Sequence, residues 1–170
     1  MKTMNEAKNL TLVEAVLPKI ENKSLTVIKD IALVLGFALL TSVCAKLKIE
    51  IGAVPITMQT LAVLLSGAVL GAKRAALAQL TYLLMGLGGI PWFSRGGGIS
   101  YLLSPTFGYI VGFVPAAYLT GWLCQKGFDR KINTIIGAMI LGNVLLYIPG
   151  LLYLAKFVGF GRVLETGLYP

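Results

Sequence analysis

Several amide, hydroxyl and aromatic side chains that can hold a small polar molecule lie inside long apolar stretches. They are Gln59, in the stretch VPITMQTLAVLLSGAVLG, then Gln79, Tyr82 and Gly86, and finally Asn143, Tyr147 and Gly150. Within each trio the spacing is three or four, which places its members on one face of a helix. Amides and hydroxyls are costly against hydrocarbon, so these faces turn toward other helices or a cavity. Three such helices favour a shared polar pocket, although hydrogen bonding between helices explains any single residue equally well.

A glycine-rich connection, GLGGIPWFSRGGGISYLLSPTFGY at residues 86–109, carries the next candidates. Its glycines and Pro91 forbid a continuous helix and permit unusual backbone angles. We therefore expect a lid over a pocket, built from Gly96, Gly97 and Gly98. Arg95 can pair with a carboxylate in a bidentate geometry, although it is equally explained as a solvated charge. Trp92 and Phe93 can wall a ligand or anchor the chain at a membrane surface.

Catalytic and metal chemistry finds no support in the residue types. The chain has no histidine, and its two cysteines, Cys44 and Cys124, lie in apolar sequence without CxxC spacing. No GxxxxGK[ST] motif occurs, and the nearest string, GAVLGAKR, lacks the spacing and the Ser or Thr. We expect no metal site, no covalently bound cofactor, no enzymatic activity and no ATP binding through these motifs.

The elements that must position these side chains are membrane helices. Of the 170 residues, 56% are hydrophobic and 13% are charged, and the mean hydropathy is +0.81, which is typical of an integral membrane protein. Apolar segments cover roughly 31–46, 55–71, 75–91, 102–124 and 132–155. The sequence predicts an all-α membrane domain over residues 31–170, a compact bundle of about five spans. Residues 1–30 are predicted to form a cytoplasmic or amphipathic extension.

The basic residues predict the orientation. Ten of the 15 Lys and Arg residues fall in segments that share one side if the N-terminus is cytoplasmic, and five fall on the other side. Basic residues are retained in the cytoplasm, so we expect a multi-pass cell-membrane protein with a cytoplasmic N-terminus. The net charge of +8 follows from this pattern and does not indicate nucleic acid, because no basic stripe with interleaved aromatics is present. Five spans place Pro170 outside, so a final element is expected to be missing.

The segments KLKIEIGAVPITMQTLAVLLSGAVLGAKRAAL and GLGGIPWFSRGGGISYLLSPTFGYIVGF resemble the BioY family, the biotin-specific substrate-capture (S) components of energy-coupling factor (ECF) vitamin transporters. The resemblance covers residues 31–155 well. It implies six membrane helices with both termini cytoplasmic and a biotin pocket near the outer surface. It also implies three kinds of partner besides biotin: the membrane lipid, a membrane coupling subunit, and two cytosolic ATPases that drive release inward.

Biotin has a ureido ring, an apolar thioether ring and a carboxylate, so its site needs amides or hydroxyls, aromatic walls and one cation. The resemblance assigns the polar head to Gln59, Gln79, Tyr82, Asn143 and Tyr147, and the ring walls to Trp92, Phe93 and Tyr101. Arg95 is the candidate for the carboxylate, with Gly96 as the alternative match in register. In the family, the chain continues past the point that matches LYP, the last three letters of this sequence, and carries an Asp and a Lys near its sixth helix. This sequence has no counterpart of these two residues. A truncated or weakly binding form is therefore expected.

Pairs of small residues four apart let helix backbones approach closely. One such pair, Ala38 and Ser42, is by analogy a candidate for docking the coupling subunit, and internal packing explains it equally well.

Other functions remain open. A structural membrane adaptor explains the helices but not a polar pocket under a glycine-rich lid, and an S component for another small vitamin explains both. A secondary transporter would place ionisable groups within its spans, and none lies centrally in these segments.

Overall fold

The computed structural model describes residues 11–16, 22–50 and 54–167, and within these ranges the fold is a helical bundle. Its helices are α1 (Leu12–Val16), α2 (Lys23–Lys46), α3 (Gln59–Leu70), α4 (Ala72–Leu87), α5 (Phe107–Gln125), α6 (Ile132–Val158) and α7 (Val163–Gly167). Strands β1 (Lys48–Ile49) and β2 (Ile56–Thr57) form a small antiparallel hairpin. Short 3₁₀ turns cover Ile99–Leu103 and Phe128–Arg130. The expected all-α bundle is confirmed.

The first long helix begins earlier than its apolar segment. Asn22 caps α2, because its side-chain oxygen accepts a hydrogen bond from the Ser24 amide at 2.9 Å. The helix then continues through Asp30 without a break. The boundary that the sequence places after residue 30 therefore falls inside α2. Residues 1–10 and 17–21 of the predicted extension lie outside the described ranges.

The second and third predicted spans are short and almost continuous. Only Gly71 separates α3 from α4, and its φ of 78° is a conformation that glycine adopts without strain. At 1.5 Å per residue, the 12 residues of α3 and the 16 of α4 extend over about 18 and 24 Å. Among the described residues, three helices are long and apolar enough to cross a membrane: α2, α5 and α6.

Small residues bring the helices of the bundle into close contact. A Cβ atom on Gly67 of α3 would lie 2.8 Å from the Ala117 carbonyl oxygen of α5 and 2.9 Å from Thr120 Cβ. On the other face of α5, a Cβ on Gly112 would lie 2.5 Å from the Leu146 carbonyl oxygen of α6. Helix α5 is consequently packed between its neighbours, whereas α2 and α6 expose many apolar side chains. Such an arrangement suits a bundle whose outer helices face lipid.

The two ends of the bundle differ, and we name them by their structure. The turn end contains Gly71 and the connection 126–131; the pocket end contains the described parts of the connections 47–58, 88–106 and 159–167. At the turn end, Arg74 joins α4 to α1 and α2: its Nη1 lies 2.9 Å from Glu14 Oε1, and its Nε lies 3.0 Å from Asp30 Oδ1. The second contact is an ion pair that lacks hydrogen-bond alignment.

The Glu14 carboxylate is held in its charged form. Its own backbone N–H donates to Thr11 Oγ1 at 3.3 Å, and the Thr11 N–H donates to Glu14 Oε2 at 3.1 Å, which makes a capping box at the start of α1. Burial by itself would raise the pKa of Glu14, but the hydrogen bond from Thr11 and the pairing with Arg74 together lower the pKa below its ordinary value. The short helix α1 is thereby fixed against the turn end.

Candidate functional site

A cavity of about 120 Å³ lies between the helices at the pocket end. Its wall is formed by β2, the start of α3, the glycine-rich connection, α5, α6 and the end of α7. The lining residues that matter for binding are Thr57, Gln59, Thr60, Ser94, Tyr101, Thr106, Tyr109, Phe113 and Tyr147. The wall thus combines hydroxyls, one amide and aromatic rings, as small-molecule sites commonly do.

A row of hydroxyl groups forms one side of the cavity. Tyr101 Oη lies 3.0 Å from Ser94 Oγ and 3.0 Å from Thr106 Oγ1. All three residues are buried and line the cavity. A hydroxyl can donate one hydrogen bond and accept others, so this row can adapt to a ligand that brings both N–H and C=O groups.

Gln59 is held at the cavity by two neighbouring side chains. Its Nε2 donates to Tyr82 Oη at 2.8 Å, and its Oε1 accepts from Thr57 Oγ1 at 3.1 Å. Tyr82 Oη donates in turn to the Trp92 carbonyl oxygen at 3.3 Å. Tyr82 itself is fully buried behind Gln59 and is not part of the lining, so it positions the amide and does not wall the cavity.

Tyr109, Tyr147 and Phe113 supply aromatic surface to the cavity wall. Tyr109 and Tyr147 pack edge to face with ring centroids 5.6 Å apart. Tyr109 Oη also donates to the Gly167 carbonyl oxygen at 3.2 Å, which fixes the end of α7 over the cavity. Sequence reasoning missed Thr106 and Tyr109 as site residues, although both belong to the SPTFGY segment that carries the family resemblance.

The glycine-rich connection is anchored by Phe93 and Lys46. The Phe93 ring is fully buried, 4.5 Å from the Tyr101 ring and 5.4 Å from the Tyr82 ring. Gly86 leaves the space for it, because a Cβ there would overlap the ring. Lys46 Nζ donates to the Phe93 carbonyl oxygen at 2.8 Å. Sequence reasoning did not find Lys46, because its partner lies 47 residues away along the chain.

The remaining part of this connection contains the predicted lid and Arg95. Phe93 and Gly96 exchange two backbone hydrogen bonds, and Gly96 and Gly98 have φ values of 128° and 94°. Gly97 packs against the Ile90 carbonyl. Arg95 points outward with 37% of its side chain exposed, and its Nε lies 3.8 Å from Glu50 Oε1. Neither Arg95 nor Trp92 and Phe93, the predicted ring walls, is among the residues that line the cavity.

Besides Tyr82, two further predicted polar residues, Gln79 and Asn143, are not part of the cavity lining. Gln79 is fully buried, and its Nε2 donates to Ser66 Oγ at 3.1 Å and to Thr41 Oγ1 at 3.3 Å. We call Gln79, Ser66 and Thr41 the Gln79 cluster. Asn143 lies instead along an apolar groove on α6 that Tyr147 and Ile148 also border. Its Oδ1 is buried and has no hydrogen-bond partner among the described residues.

Ala38 and Ser42, the predicted docking pair, face the inside of the bundle. Their residues are 0% and 7% exposed, because α2 packs this face against α3 and α4. The interpretation as a partner-docking surface is therefore wrong for this chain, and internal packing explains the pair.

Within residues 11–16, 22–50 and 54–167, no three His, Cys, Asp or Glu side chains gather as metal ligands. The cavity itself offers hydrogen bonding and aromatic contact. Such a site is suited to binding an uncharged polar head group of a small molecule.

Comparisons with known proteins agree with this arrangement. Residues 12–170 match the model of the BioY family. A probable biotin transporter BioY from Pyrococcus horikoshii is 38% identical over 143 residues, which cover 84% of each chain. The biotin transporter BioY of Rhizobium etli is 42% identical over 116 residues, 64% of this chain and 62% of the relative. Among solved structures, the S-component for biotin from an ECF-type ABC transporter matches with a TM-score of 0.73 and 18% identity, over 88% of this chain and 85% of that one.

Proposed function

The chain belongs to the BioY family, and from this membership and the cavity at its pocket end we propose that it is the substrate-capture component of an ECF-type transporter for biotin. The observation that carries the proposal is the cavity wall, where Gln59 and a row of hydroxyls face aromatic rings. A structural adaptor needs no such cavity. The named relatives with this fold are biotin transporters or a biotin S-component.

The polar head of biotin matches the groups around the cavity. A ureido ring presents two N–H donors and one carbonyl acceptor. The hydroxyls of Tyr101 and Thr106 can accept the N–H groups, and the second N–H of the Gln59 amide can donate to the carbonyl, since its first is directed to Tyr82. Tyr109, Phe113 and Tyr147 supply apolar surface for the thioether ring.

Arg95 is the proposed partner of the biotin carboxylate. It directly follows Ser94, which lines the cavity, and is not itself a lining residue, so the proposed carboxylate site is at the rim. A flexible valerate chain can extend from the cavity to the rim. A guanidinium binds a carboxylate in a bidentate geometry and needs little desolvation at a partly exposed site.

We propose that the turn end faces the cytoplasm and the pocket end faces outside. Lys73, Arg74, Lys126, Arg130 and Lys131 lie at the turn end, in agreement with the retention of basic residues in the cytoplasm. Biotin then enters from outside. A membrane coupling subunit and two cytosolic ATPases then supply the energy for release, in keeping with the ECF-type ABC transporter from which the structural neighbour comes.

Isothermal titration of biotin into the detergent-purified chain tests the proposal. We expect saturable binding, weakened about 10- to 100-fold by Arg95→Ala, since a hydrogen bond to a charged group contributes roughly 1.5–3 kcal/mol. Arg162→Ala is the matched control, because this exposed arginine also lies at the pocket end. If the folded wild-type chain gives no binding heat with biotin at any concentration, the substrate assignment is wrong, and other anionic vitamins are to be tried.

A further inference from the structure

A chain of three charged side chains connects two segments at the rim of the cavity. Glu50 Oε1 lies 2.5 Å from Lys48 Nζ and 3.8 Å from Arg95 Nε. Lys48 and Glu50 belong to the connection between α2 and α3, and Arg95 belongs to the glycine-rich connection. One carboxylate oxygen is thus shared between a close lysine and a more distant arginine.

Both segments also contribute to the wall of the cavity. Lys48 of β1 is paired with Thr57 of β2, and Thr57 lines the cavity. Ser94, the residue before Arg95, lines it from the other connection. The Glu50–Arg95 contact therefore joins the two connections that supply Thr57 and Ser94 to the wall, although Glu50 and Arg95 are not themselves among the lining residues.

The contact between Glu50 and Arg95 is weak enough to exchange. Glu50 has 53% of its side chain exposed and Arg95 has 37%, and exposed ion pairs contribute little to stability. The hydrogen bond from Lys48, followed by the charges of Lys48 and Arg95, lowers the pKa of Glu50. Glu50 therefore carries a full negative charge at neutral pH, and its closer contact, at 2.5 Å, is with Lys48 and not with Arg95.

We infer that Glu50 occupies Arg95 in the ligand-free chain and that the carboxylate of the ligand replaces Glu50 on Arg95. This inference rests on the proposed function. Glu50 acts as an internal competitor: a carboxylate ligand must displace it and then lies close to its negative charge. A neutral analogue has no group that competes for Arg95, so Glu50 leaves its affinity unchanged. Glu50 thus determines how strongly the site distinguishes an acid from its amide.

The test is isothermal titration of biotin and of its neutral amide, biotinamide, into the wild type and the Glu50→Gln variant. We expect Glu50→Gln to raise the affinity for biotin about two- to fivefold, the range of an exposed ion pair, and to leave the affinity for biotinamide unchanged. Glu165→Gln is the matched control, because it removes the same charge from an exposed position at the pocket end. The gain is expected to disappear when Glu50→Gln is combined with Arg95→Ala.

Any one of four outcomes overturns the inference. Equal affinities of the wild type and Glu50→Gln for biotin mean that Glu50 does not compete. An equal gain for biotinamide, or the same gain in Glu165→Gln, means that the effect is not exchange at a carboxylate. A gain that survives in the Arg95→Ala background excludes Arg95 as the exchanging cation. By contrast, a wild-type chain that ignores biotin refutes the proposed function first, and the inference with it.

Discussion

The cavity at the pocket end and the Gln79 cluster below it are built from the same residue types, yet only one of them leaves open space. At the cavity, Gln59 has neighbours that fix it from behind, through Tyr82 and Thr57, and its front faces the cavity. In the Gln79 cluster, Ser66 and Thr41 close around the amide, which is 0% exposed. A buried glutamine in a membrane helix is therefore a binding residue only where the packing around it is incomplete.

Small residues allow the close packing below the cavity. Enlarging one of them should give the largest expected effect, a loss of stability. Gly67→Leu should destabilise the chain by about 2 kcal/mol or more, because the new side chain meets Ala117 and Thr120 of α5 without room to move. The measurement is the thermal unfolding midpoint in detergent. Gly36→Leu is the control, since nothing lies within 4 Å of a Cβ there, and its midpoint should stay unchanged. A similar loss in both variants would show that leucine itself, and not the close packing, lowers stability.

Filling the cavity should have the opposite effect: it should weaken biotin binding and leave thermal stability almost unchanged. Thr60→Phe places a large ring in the open space beside Gln59. We expect biotin binding to weaken about 10- to 100-fold, which corresponds to the roughly 1–3 kcal/mol that overpacking costs. The unfolding midpoint without ligand should change little, because the ring occupies volume that is empty. Normal biotin titration by this variant would contradict the position of the ligand.

The hydroxyl row at the cavity should give a smaller effect. Tyr101→Phe keeps the ring against Phe93 but removes the oxygen that links Ser94 and Thr106. Biotin affinity should fall about two- to tenfold, the range of one neutral hydrogen bond. Tyr118→Phe is the matched control, because Tyr118 is 48% exposed on α5. Equal titration curves for wild type and Tyr101→Phe would remove the hydroxyl row from the site.

The turn end should contribute the smallest effect, and it should depend on pH. The pKa of Glu14 in the folded chain lies below the ordinary value of a glutamate, which is about 4.3. Its pairing with Arg74 therefore stabilises the chain above that ordinary pKa, and this stabilisation is lost as the pH falls through the folded pKa. The free energies of unfolding of the wild type and of Glu14→Gln, measured by thermal unfolding, should differ by at most about 1 kcal/mol at neutral pH. This difference should disappear in acid. A constant difference down to low pH would mean that Glu14 acts through packing and not through its charge.

The sequence predicted the helices better than the site. Apolar runs and the spacing of polar residues identify the five long elements and show that Gln59 and Gln79 both turn inward, because periodicity reports the direction of a face. It does not report depth, and depth separates Gln59 at the cavity from Gln79 in a closed cluster. Lys46 was not predicted, for a related reason. Its partner is a backbone carbonyl in an irregular loop, and no local pattern encodes that contact.

The central claim, that ligand binding belongs to the cavity and not to the Gln79 cluster, is tested most directly by titrating biotin into two matched variants. Gln59→Leu should weaken binding roughly tenfold or more, since it removes a donor at the cavity. Gln79→Leu should leave affinity within about twofold and cost only about 0.6 kcal/mol of stability. Thr41 still donates to the Phe37 carbonyl oxygen at 2.9 Å, and Ser66 to that of Val63 at 2.6 Å. Equal losses in both variants, or a larger loss in Gln79→Leu, would contradict the claim.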